Sequence, residues 1–321
     1  MLLDEFLAEW NNESPTVLVH TSGSTGRPKP MYVEKRRMKA SARITCDFLG
    51  LHSGDTALLC MPLDFIAGKM MVVRALTCGL TLKAVEPTGK PLWEGPVDFA
   101  AMVPMQVWNL LHGNAEERER LMQIRHLIIG GGAIDDALET ELRQFPHAVW
   151  STYGMTETLS HVALRRLNGP DASPWYTPFE SVSVRLNADG CLVIDAPSVC
   201  SAPLTTNDLA ELAPDGRRFR IIGRRDNVVC SGGIKIQIEE VERTLKPHLD
   251  APFMVSKRKD ERFGEALVLL LESKDVDSAR EVCRRVLPRY WQPRDIVSVR
   301  SLPLTATGKP DRAAALQLAK N

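Results

Sequence analysis

A polar, glycine-containing stretch near the N-terminus carries residue types that bind phosphate. TSGSTGRPK, at residues 21–29, directly follows the apolar run VLVH. Glycines let backbone N–H groups turn toward an anion, while hydroxyls and a lysine add donors and positive charge. The residues of this phosphate loop are Thr21, Ser22, Gly23, Ser24, Thr25, Gly26 and Lys29. Its order differs from GxxxxGK[ST], so the stretch predicts a phosphate site other than a Walker-type loop, with a flexible polar turn as the alternative.

A second stretch, STYGMTET at residues 151–158, follows the apolar run HAVW. The aromatic ring of Tyr153 can stack on a base, and Thr156 with Glu157 can hold phosphate and Mg²⁺. An ordinary loop, with a threonine N-cap and a glutamate in the first helical turn, explains the same letters equally well.

Three further stretches add groups that a nucleotide site needs. Asp208, in TNDLAEL, is a carboxylate able to accept two ribose hydroxyls. Arg224 is the second residue of GRRDNVVCSGGIK, a stretch that also contains a glycine pair and a possible hinge between domains. Lys309 lies on a Gly-Lys turn in LPLTATGKPDR, where a lysine is more often a solvated surface residue.

The elements that must position these groups follow from hydrophobic periodicity. From PTVLVH to AVWSTYG, apolar strand-like runs alternate with helical patterns, which predicts an α/β fold with a doubly wound, mostly parallel sheet. From about residue 178 to 222 the runs become short and alternating, and NADG and APDG turns separate them, which predicts antiparallel strands or a small barrel. We therefore expect a large domain over 1–222, a hinge at 223–227 and a small α+β domain over 228–321.

Composition restricts the class of partner. The 321 residues include 40 basic and 40 acidic side chains, so no net field attracts nucleic acid or an anionic membrane, and small molecules are the expected partners. No apolar run approaches the roughly 18 residues of a membrane span, and the N-terminus lacks the basic region of a signal peptide. Seven scattered cysteines without a CxxC pair are typical of reduced thiols in a cytoplasmic protein.

The phosphate loop, YGMTET, GRRDN with GGIKI, and TATGKPDR occur in an order that resembles the adenylate-forming superfamily of acyl- and aryl-CoA synthetases, luciferases and peptide-synthetase adenylation domains. The resemblance runs from about residue 15 to 312. It implies a shortened acyl-CoA synthetase fold and a two-step reaction, in which a carboxylate attacks the α-phosphorus of ATP and the CoA thiol then displaces AMP. ATP and CoA would be co-substrates, and Mg²⁺ the metal.

The resemblance also implies roles for single residues of the nucleotide site. The phosphate loop would hold the β- and γ-phosphates, and Thr156 would lie beside the α-phosphate. Glu157 would bind Mg²⁺ and Tyr153 would stack on adenine. Asp208 and Arg224 would hold the ribose.

Further roles concern the small domain and its movement. Lys309 would reach both the carboxylate and the α-phosphate. Asp226 would be the hinge about which the small domain rotates between half-reactions. Gly232 and Gly233 would form the CoA face, where a missing side chain leaves room for the pantetheine arm.

One departure from the family concerns the N-terminus. The phosphate loop usually lies well over a hundred residues into the chain, whereas here it begins at Thr21. We therefore expect the N-terminal subdomain to be largely missing, and with it part of the acyl-pocket wall and the usual dimer surface. The oligomeric state is left open.

By resemblance to the family, residues 61–76 and 130–133 correspond to the walls of the acyl pocket. Basic residues in the first of these stretches bear on which acid is the substrate. Lys69 and Arg74 lie five apart on a predicted helix, and either can bind a second carboxylate or face solvent. The other candidates for acyl contacts are Gly131, Gly132, His20 and His161, the histidines being more often core or supporting residues.

The run YGMTETLSHVALRRLNG and the short N-terminus are most similar to o-succinylbenzoate–CoA ligases of menaquinone biosynthesis, whose substrate is an aromatic dicarboxylic acid. The alternatives are a CoA ligase for another aryl or acyl acid, an adenylation domain that loads a carrier protein, and a non-catalytic nucleotide binder. Lys309 and Glu157 argue against the last of these, because a mere binder needs neither.

Overall fold

The N-terminal segment is a helix, a β-hairpin and a second helix. The computed structural model describes residues 1–20, 30–305 and 310–320. The first elements are α1 (Leu3–Asn11), β1 (Thr16–His20), β2 (Pro30–Glu34) and α2 (Lys35–Leu49). β1 and β2 pair in antiparallel register and form a two-stranded sheet of their own. The prediction that the first apolar run belongs to the parallel sheet is therefore wrong, because β2, which the sequence analysis missed, pairs with it.

A seven-stranded sheet forms the centre of the large part of the chain. Its elements are β3 (Thr56–Leu59), α3 (Ile66–Cys78), β4 (Thr81–Ala84), β5 (Phe99–Met102), α4 (Pro104–Leu111), α5 (Ala115–Met122), β6 (His126–Ile129), α6 (Asp136–Leu142), β7 (Ala148–Gly154), β8 (His161–Arg166) and β9 (Thr177–Pro178). The strand order is β4-β3-β5-β6-β7-β8-β9. The five strands from β4 to β7 in this order are parallel to one another. β8 runs antiparallel to β7, and β9 runs antiparallel to β8.

Both faces of this sheet are buried, which explains why its strands are almost continuously apolar. Along β3, Ala57 and Leu59 join the apolar cluster that includes α2 and α3, while Leu58 and Cys60 join the cluster that includes α4, α5 and α6. Successive side chains of a strand point to opposite faces, so the two clusters lie on the two sides of the sheet. The doubly wound α/β prediction is confirmed.

A four-stranded antiparallel sheet follows, as the alternating pattern predicts. It contains β10 (Ser183–Leu186), β11 (Cys191–Asp195), β12 (Leu204–Leu212) and β13 (Phe219–Arg224), in that order. An antiparallel bridge between Tyr176 and Phe219 joins β13 to the segment just before β9. Through this bridge the second sheet is held beside the end of β7.

The C-terminal part has an α+β fold. Its elements are β14 (Val228–Ser231), β15 (Ile234–Gln237), α7 (Ile238–Leu245), β16 (Phe253–Asp260), β17 (Gly264–Leu271), α8 (Val276–Val286), β18 (Asp295–Ser298) and α9 (Arg312–Leu318). α7 and α8 pack on one face of its sheet and α9 on the other, in apolar clusters separate from those of the large sheet. The domain boundary at 223–227 stays a prediction. Among the described residues, no helix is both long and apolar enough to cross a membrane.

Candidate active site

Three of the predicted nucleotide-binding residues meet in one hydrogen-bonded group. The Tyr153 hydroxyl donates to Asp208 Oδ2 at 2.7 Å, and Arg224 Nη1 donates to Asp208 Oδ1 at 3.0 Å. Tyr153 lies near the end of β7, Asp208 in the middle of β12 and Arg224 at the end of β13, directly opposite Asp208. Both carboxylate oxygens of Asp208 are thus held in place at the junction of the two sheets.

The ring of Tyr153 is largely enclosed by aromatic neighbours. Its exposed fraction is 9%, and its centroid lies 5.1 Å from Phe219, edge to face, and 5.9 Å from Tyr176. Burial, together with the Asp208 carboxylate, raises the pKa of the Tyr153 hydroxyl well above its usual value. The hydroxyl therefore stays protonated and can keep donating to Asp208. The stacking of this ring on adenine stays a prediction.

The turn that follows β7 is tightly constrained. A Cβ on Gly154 would lie 2.3 Å from the Ser160 carbonyl oxygen, so only glycine fits this close approach. Residues 156–158 form one 3-10 turn, and Leu159 adopts φ 66°, which strains a branched residue. The Thr158 hydroxyl accepts from the Met155 amide, and its one proton lies within reach of the Ser160 carbonyl at 2.7 Å and the Met155 carbonyl at 3.0 Å. The turn is thereby fixed in one shape.

This turn presents the two predicted catalytic residues differently. Thr156 is buried, with 6% exposure, whereas the Glu157 side chain is exposed. Within the described ranges, Glu157 makes no ion pair. The same ranges contain no group of three or more His, Cys, Asp or Glu residues that could hold a metal ion. One free carboxylate fits Mg²⁺, which proteins commonly bind through one or two carboxylates together with substrate phosphates.

The phosphate loop, residues 21–29, and Lys309 lie outside the described residues. The flanks of both stretches are held in place. His20 pairs with Pro30 at the end of the β1–β2 hairpin where residues 21–29 connect the two strands. Leu304 forms an antiparallel bridge with Pro310. The roles of the phosphate loop and Lys309 stay predictions.

Lys69, one of the two basic residues on α3, is committed to partners within the chain. Its exposed fraction is 2%, and its Nζ donates to the Leu18 carbonyl at 2.8 Å and to Glu9 Oε2 at 3.3 Å. The alternative that Lys69 faces solvent is therefore wrong, and its charge ties α1 and β1 to α3. Nothing in these contacts favours a role in substrate binding.

Arg74, the second basic residue on α3, is buried without a carboxylate partner. Its exposed fraction is also 2%, so it does not face solvent either. Nη2 donates to Ser160 Oγ at 2.5 Å, while Nε has no partner in the described part of the chain. Burial lowers the pKa of the guanidinium to about 10. No acidic side chain pairs with Arg74 in the described ranges, and residues 21–29 and 306–309 contain no Asp or Glu.

The remaining candidates for acyl contacts differ in their surroundings. Gly131 and Gly132 follow β6 and are exposed, with Gly131 at φ 80°. His20 is exposed at the end of β1. His161 is buried, and its ring nitrogens contact Thr45 and Ser160. The structure therefore places only His161 beside Arg74.

The predicted hinge and CoA residues lie close together along the chain. Arg224 Nη2 donates to Asp226 Oδ2 at 3.3 Å. Gly232 (φ 57°) and Gly233 (φ 83°) form the two-residue turn between β14 and β15, and positive φ at both positions is what a type I′ turn requires. A Cβ on Gly232 would lie 3.0 Å from the ring of Phe263. The turn therefore needs its glycines, and the hinge and CoA roles stay predictions.

Sequence analysis missed several residues that build this site. Ser160, Thr45 and Tyr176 are single polar residues that match no motif, and each acts through a partner distant in sequence: Ser160 is 86 residues from Arg74 and Thr45 is 116 residues from His161. The only available signal was the position of Ser160, two residues after TET.

We expect the free energy of unfolding to fall as pH decreases below about 6.5. Burial lowers the pKa of His161 well below 6.5 and that of the partly buried His126 to about 4. The unfolded chain therefore binds more protons in this range, so the stability is fully present above pH 6.5 and is lost as pH falls. His161 alone contributes a slope of up to about 1.4 kcal/mol per pH unit. Urea unfolding between pH 5 and 8 measures this pH dependence of the free energy of unfolding. If His161→Gln had the same pH dependence as the wild type, His161 would not be its source.

The chain is similar to known proteins in both sequence and structure. Residues 4–195 match the family of AMP-binding enzymes. A 2-succinylbenzoate–CoA ligase of Listeria monocytogenes is 25% identical, over 96% of this chain and 71% of that protein. An acyl-CoA synthetase (AMP-forming)/AMP-acid ligase II-like protein of Dyadobacter fermentans is 33% identical, with a TM-score of 0.65, over 98% of this chain and 92% of the other. An O-succinylbenzoate coenzyme A synthetase of Bacillus subtilis, solved with ATP and magnesium ion, has a TM-score of 0.76 at 22% identity, over 95% and 69% of the two chains.

Proposed function

Because the chain belongs to the AMP-binding enzyme family, we propose that it is an ATP-dependent acid–CoA ligase whose acid is o-succinylbenzoate. The family assignment supports adenylate chemistry. The 2-succinylbenzoate–CoA ligases of Listeria monocytogenes and other bacteria support this acid and a place in menaquinone biosynthesis. A reaction that consumes ATP and CoA fits an enzyme of the cytoplasm.

The proposed reaction has two steps that share one site. A carboxylate oxygen of the acid attacks the α-phosphorus of ATP, a P–O bond forms and pyrophosphate leaves. The CoA thiol, on losing its proton, then attacks the acyl carbonyl, and the C–O bond to AMP breaks as the thioester forms. In the first step two anions approach each other, so positive groups must offset their repulsion.

The residues of the site divide this work. Asp208, whose two carboxylate oxygens are held by Tyr153 and Arg224, would accept the ribose hydroxyls. The phosphate loop would hold the β- and γ-phosphates, and Lys309 would neutralise the attacking carboxylate and the α-phosphate. Thr156 would stand beside the α-phosphate. Rotation about Asp226 would then bring Gly232 and Gly233 to the thioester-forming face.

Glu157 would bind Mg²⁺ together with the phosphates of ATP. The ion supplies charge neutralisation at the phosphates when it is bound. The carboxylate of Glu157 is exposed and unpaired within the described ranges, so it needs no rearrangement to take this role.

The observation that carries the choice of acid is that the guanidinium of Arg74 is buried and has no acidic partner in the described part of the chain. A buried charge without a partner costs several kcal/mol, and a carboxylate that hydrogen-bonds to it offsets part of that cost and adds geometric specificity. Arg74 reaches Ser160, which comes directly after the strained turn that holds Thr156 and Glu157. A second carboxylate on the substrate would pair with this guanidinium. A fatty acid or simple benzoate would leave it unpaired.

The proposal is tested by AMP and thioester formation from ATP and CoA, with and without Mg²⁺. The acids are o-succinylbenzoate, benzoate, fatty acids of several lengths and 4-oxo-4-phenylbutanoate, which is o-succinylbenzoate without the ring carboxyl group. We expect Mg²⁺-dependent turnover with a strong preference for o-succinylbenzoate. Equal rates with 4-oxo-4-phenylbutanoate would refute the dicarboxylate assignment, and adenylation without transfer to CoA would indicate a carrier-protein acceptor.

A further inference from the structure

A chain of hydrogen bonds runs from Arg74 into the core of the large domain. Arg74 Nη2 lies 2.5 Å from Ser160 Oγ, and Ser160 Oγ lies 3.2 Å from His161 Nδ1. On the other side of the ring, His161 Nε2 lies 3.1 Å from Thr45 Oγ1, which lies 3.1 Å from the Ser41 carbonyl oxygen. This series of hydrogen bonds thus links α3, the end of the turn after β7, β8 and α2.

The donors and acceptors available fix the direction of each hydrogen bond in this series. Guanidinium only donates, so the Ser160 oxygen accepts from Arg74 and its own proton is free for His161 Nδ1. Thr45 donates to the Ser41 carbonyl, which can only accept, so the Thr45 oxygen accepts from His161 Nε2. The imidazole is therefore neutral and carries its proton on Nε2. In this arrangement Ser160, His161 and Thr45 each have one donor and one acceptor, while Arg74 Nε has no partner in the described part of the chain.

The environment of His161 keeps the ring in this state. The residue is buried, with 7% exposure, and the ring of Phe179 packs at 5.5 Å between centroids. Burial and the nearby Arg74 charge lower the pKa of the imidazole well below 6.5. A neutral imidazole does not repel the guanidinium, and it still accepts the Ser160 proton.

We propose that His161, held by Thr45, is a positioning residue that fixes the Ser160 hydroxyl and through it aims Arg74 at the second carboxylate of the substrate. The inference rests on the proposed function, because it assumes that Arg74 binds that carboxylate. Neither His161 nor Thr45 needs to touch substrate. Without the ring, the Ser160 hydroxyl loses its acceptor and is free to turn away from Arg74, whose one oxygen partner in the described part of the chain is Ser160 Oγ.

The test compares kcat/KM for o-succinylbenzoate with kcat/KM for 4-oxo-4-phenylbutanoate, whose missing carboxylate leaves Arg74 unused. We expect His161→Leu to lower the ratio of the two kcat/KM values about tenfold. The variant loses the hydrogen bond between His161 and Ser160, and Ser160 is the residue that holds the charged Arg74. The fall should lie mainly in KM for o-succinylbenzoate. His161→Gln, whose amide can both accept and donate, should restore most of the ratio.

Two further variants keep the inference open to refutation. Thr45→Val removes only the Nε2 partner and should lower the ratio about threefold even if His161→Leu fails to fold. Val162→Ala is the matched control, since Val162 is buried beside His161 and lines the same small cavity but takes no part in the hydrogen bonds. An equal fall in Val162→Ala would mean that general packing is responsible.

The outcomes separate the two proposals. A wild-type protein that does not prefer o-succinylbenzoate refutes the substrate assignment, and the positioning role falls with it. A wild-type preference that His161→Leu and Thr45→Val leave unchanged refutes the positioning role alone. A reduced ratio in both variants, restored by glutamine, supports it.

Discussion

Arg74→Met is expected to lower kcat/KM for o-succinylbenzoate by about 30-fold or more while leaving the protein at least as stable as the wild type. Removing one member of a buried charge pair costs about 2–5 kcal/mol of binding, and 2 kcal/mol corresponds to about 30-fold. In the free enzyme the guanidinium has no carboxylate partner in the described ranges. An apolar side chain of similar length removes the desolvation cost that this buried charge carries without an acidic partner.

The matched control is Lys69→Met on the same helix. Lys69 is as buried as Arg74, but its Nζ is bound to Leu18 and Glu9. Its removal leaves a partly buried carbonyl and a carboxylate without their donor, so we expect lower stability and an unchanged ratio of o-succinylbenzoate to 4-oxo-4-phenylbutanoate turnover. Steady-state kinetics and urea unfolding of the two variants measure both effects. An Arg74→Met protein that is destabilised and keeps its preference for the dicarboxylate would contradict the assignment.

Lys309→Ala is expected to slow acyl-adenylate formation by about 10²- to 10³-fold while ATP binding is largely retained. The physical reason is that Lys309 would act where the substrate carboxylate and the α-phosphate, both anionic, come together. Removing one preorganised stabilising group from such a site commonly has an effect of this size. Pyrophosphate release in single turnover measures the step, and equilibrium binding of ATP measures the retained affinity.

The second half-reaction provides an internal comparison for Lys309→Ala. When synthetic acyl-adenylate and CoA are supplied, the thiol attacks a carbonyl group and no two anions have to meet, so we expect a much smaller loss. Lys320→Ala, which removes an exposed lysine near the C-terminus, should change neither step. Normal adenylation by Lys309→Ala would show that the role is wrong.

Much of the fold could be predicted because the patterns are local. The helix over α3 and the strands β5 and β6 follow from runs of apolar residues bounded by turns, and the structure confirms them. α5 was missed because its sequence, AEERERLM, is almost wholly polar and is held by the Asn114 capping box. β2 was missed because its residues, PMYVE, run directly into a helix without a turn signal.

The sequence by itself determined the family, because the phosphate loop, YGMTET, GRRDN with GGIKI, and TATGKPDR occur in one order along the chain, although each stretch taken alone also fits an ordinary loop or turn. Only the tertiary structure decided which contacts the basic residues of α3 make. Lys69 and Arg74 look alike in sequence, as basic residues on one apolar helix, yet Lys69 is paired with Glu9 whereas Arg74 has no acidic partner in the described part of the chain. Their partners come from α1, β1 and the turn after β7, and local periodicity carries no information about contacts so distant along the chain.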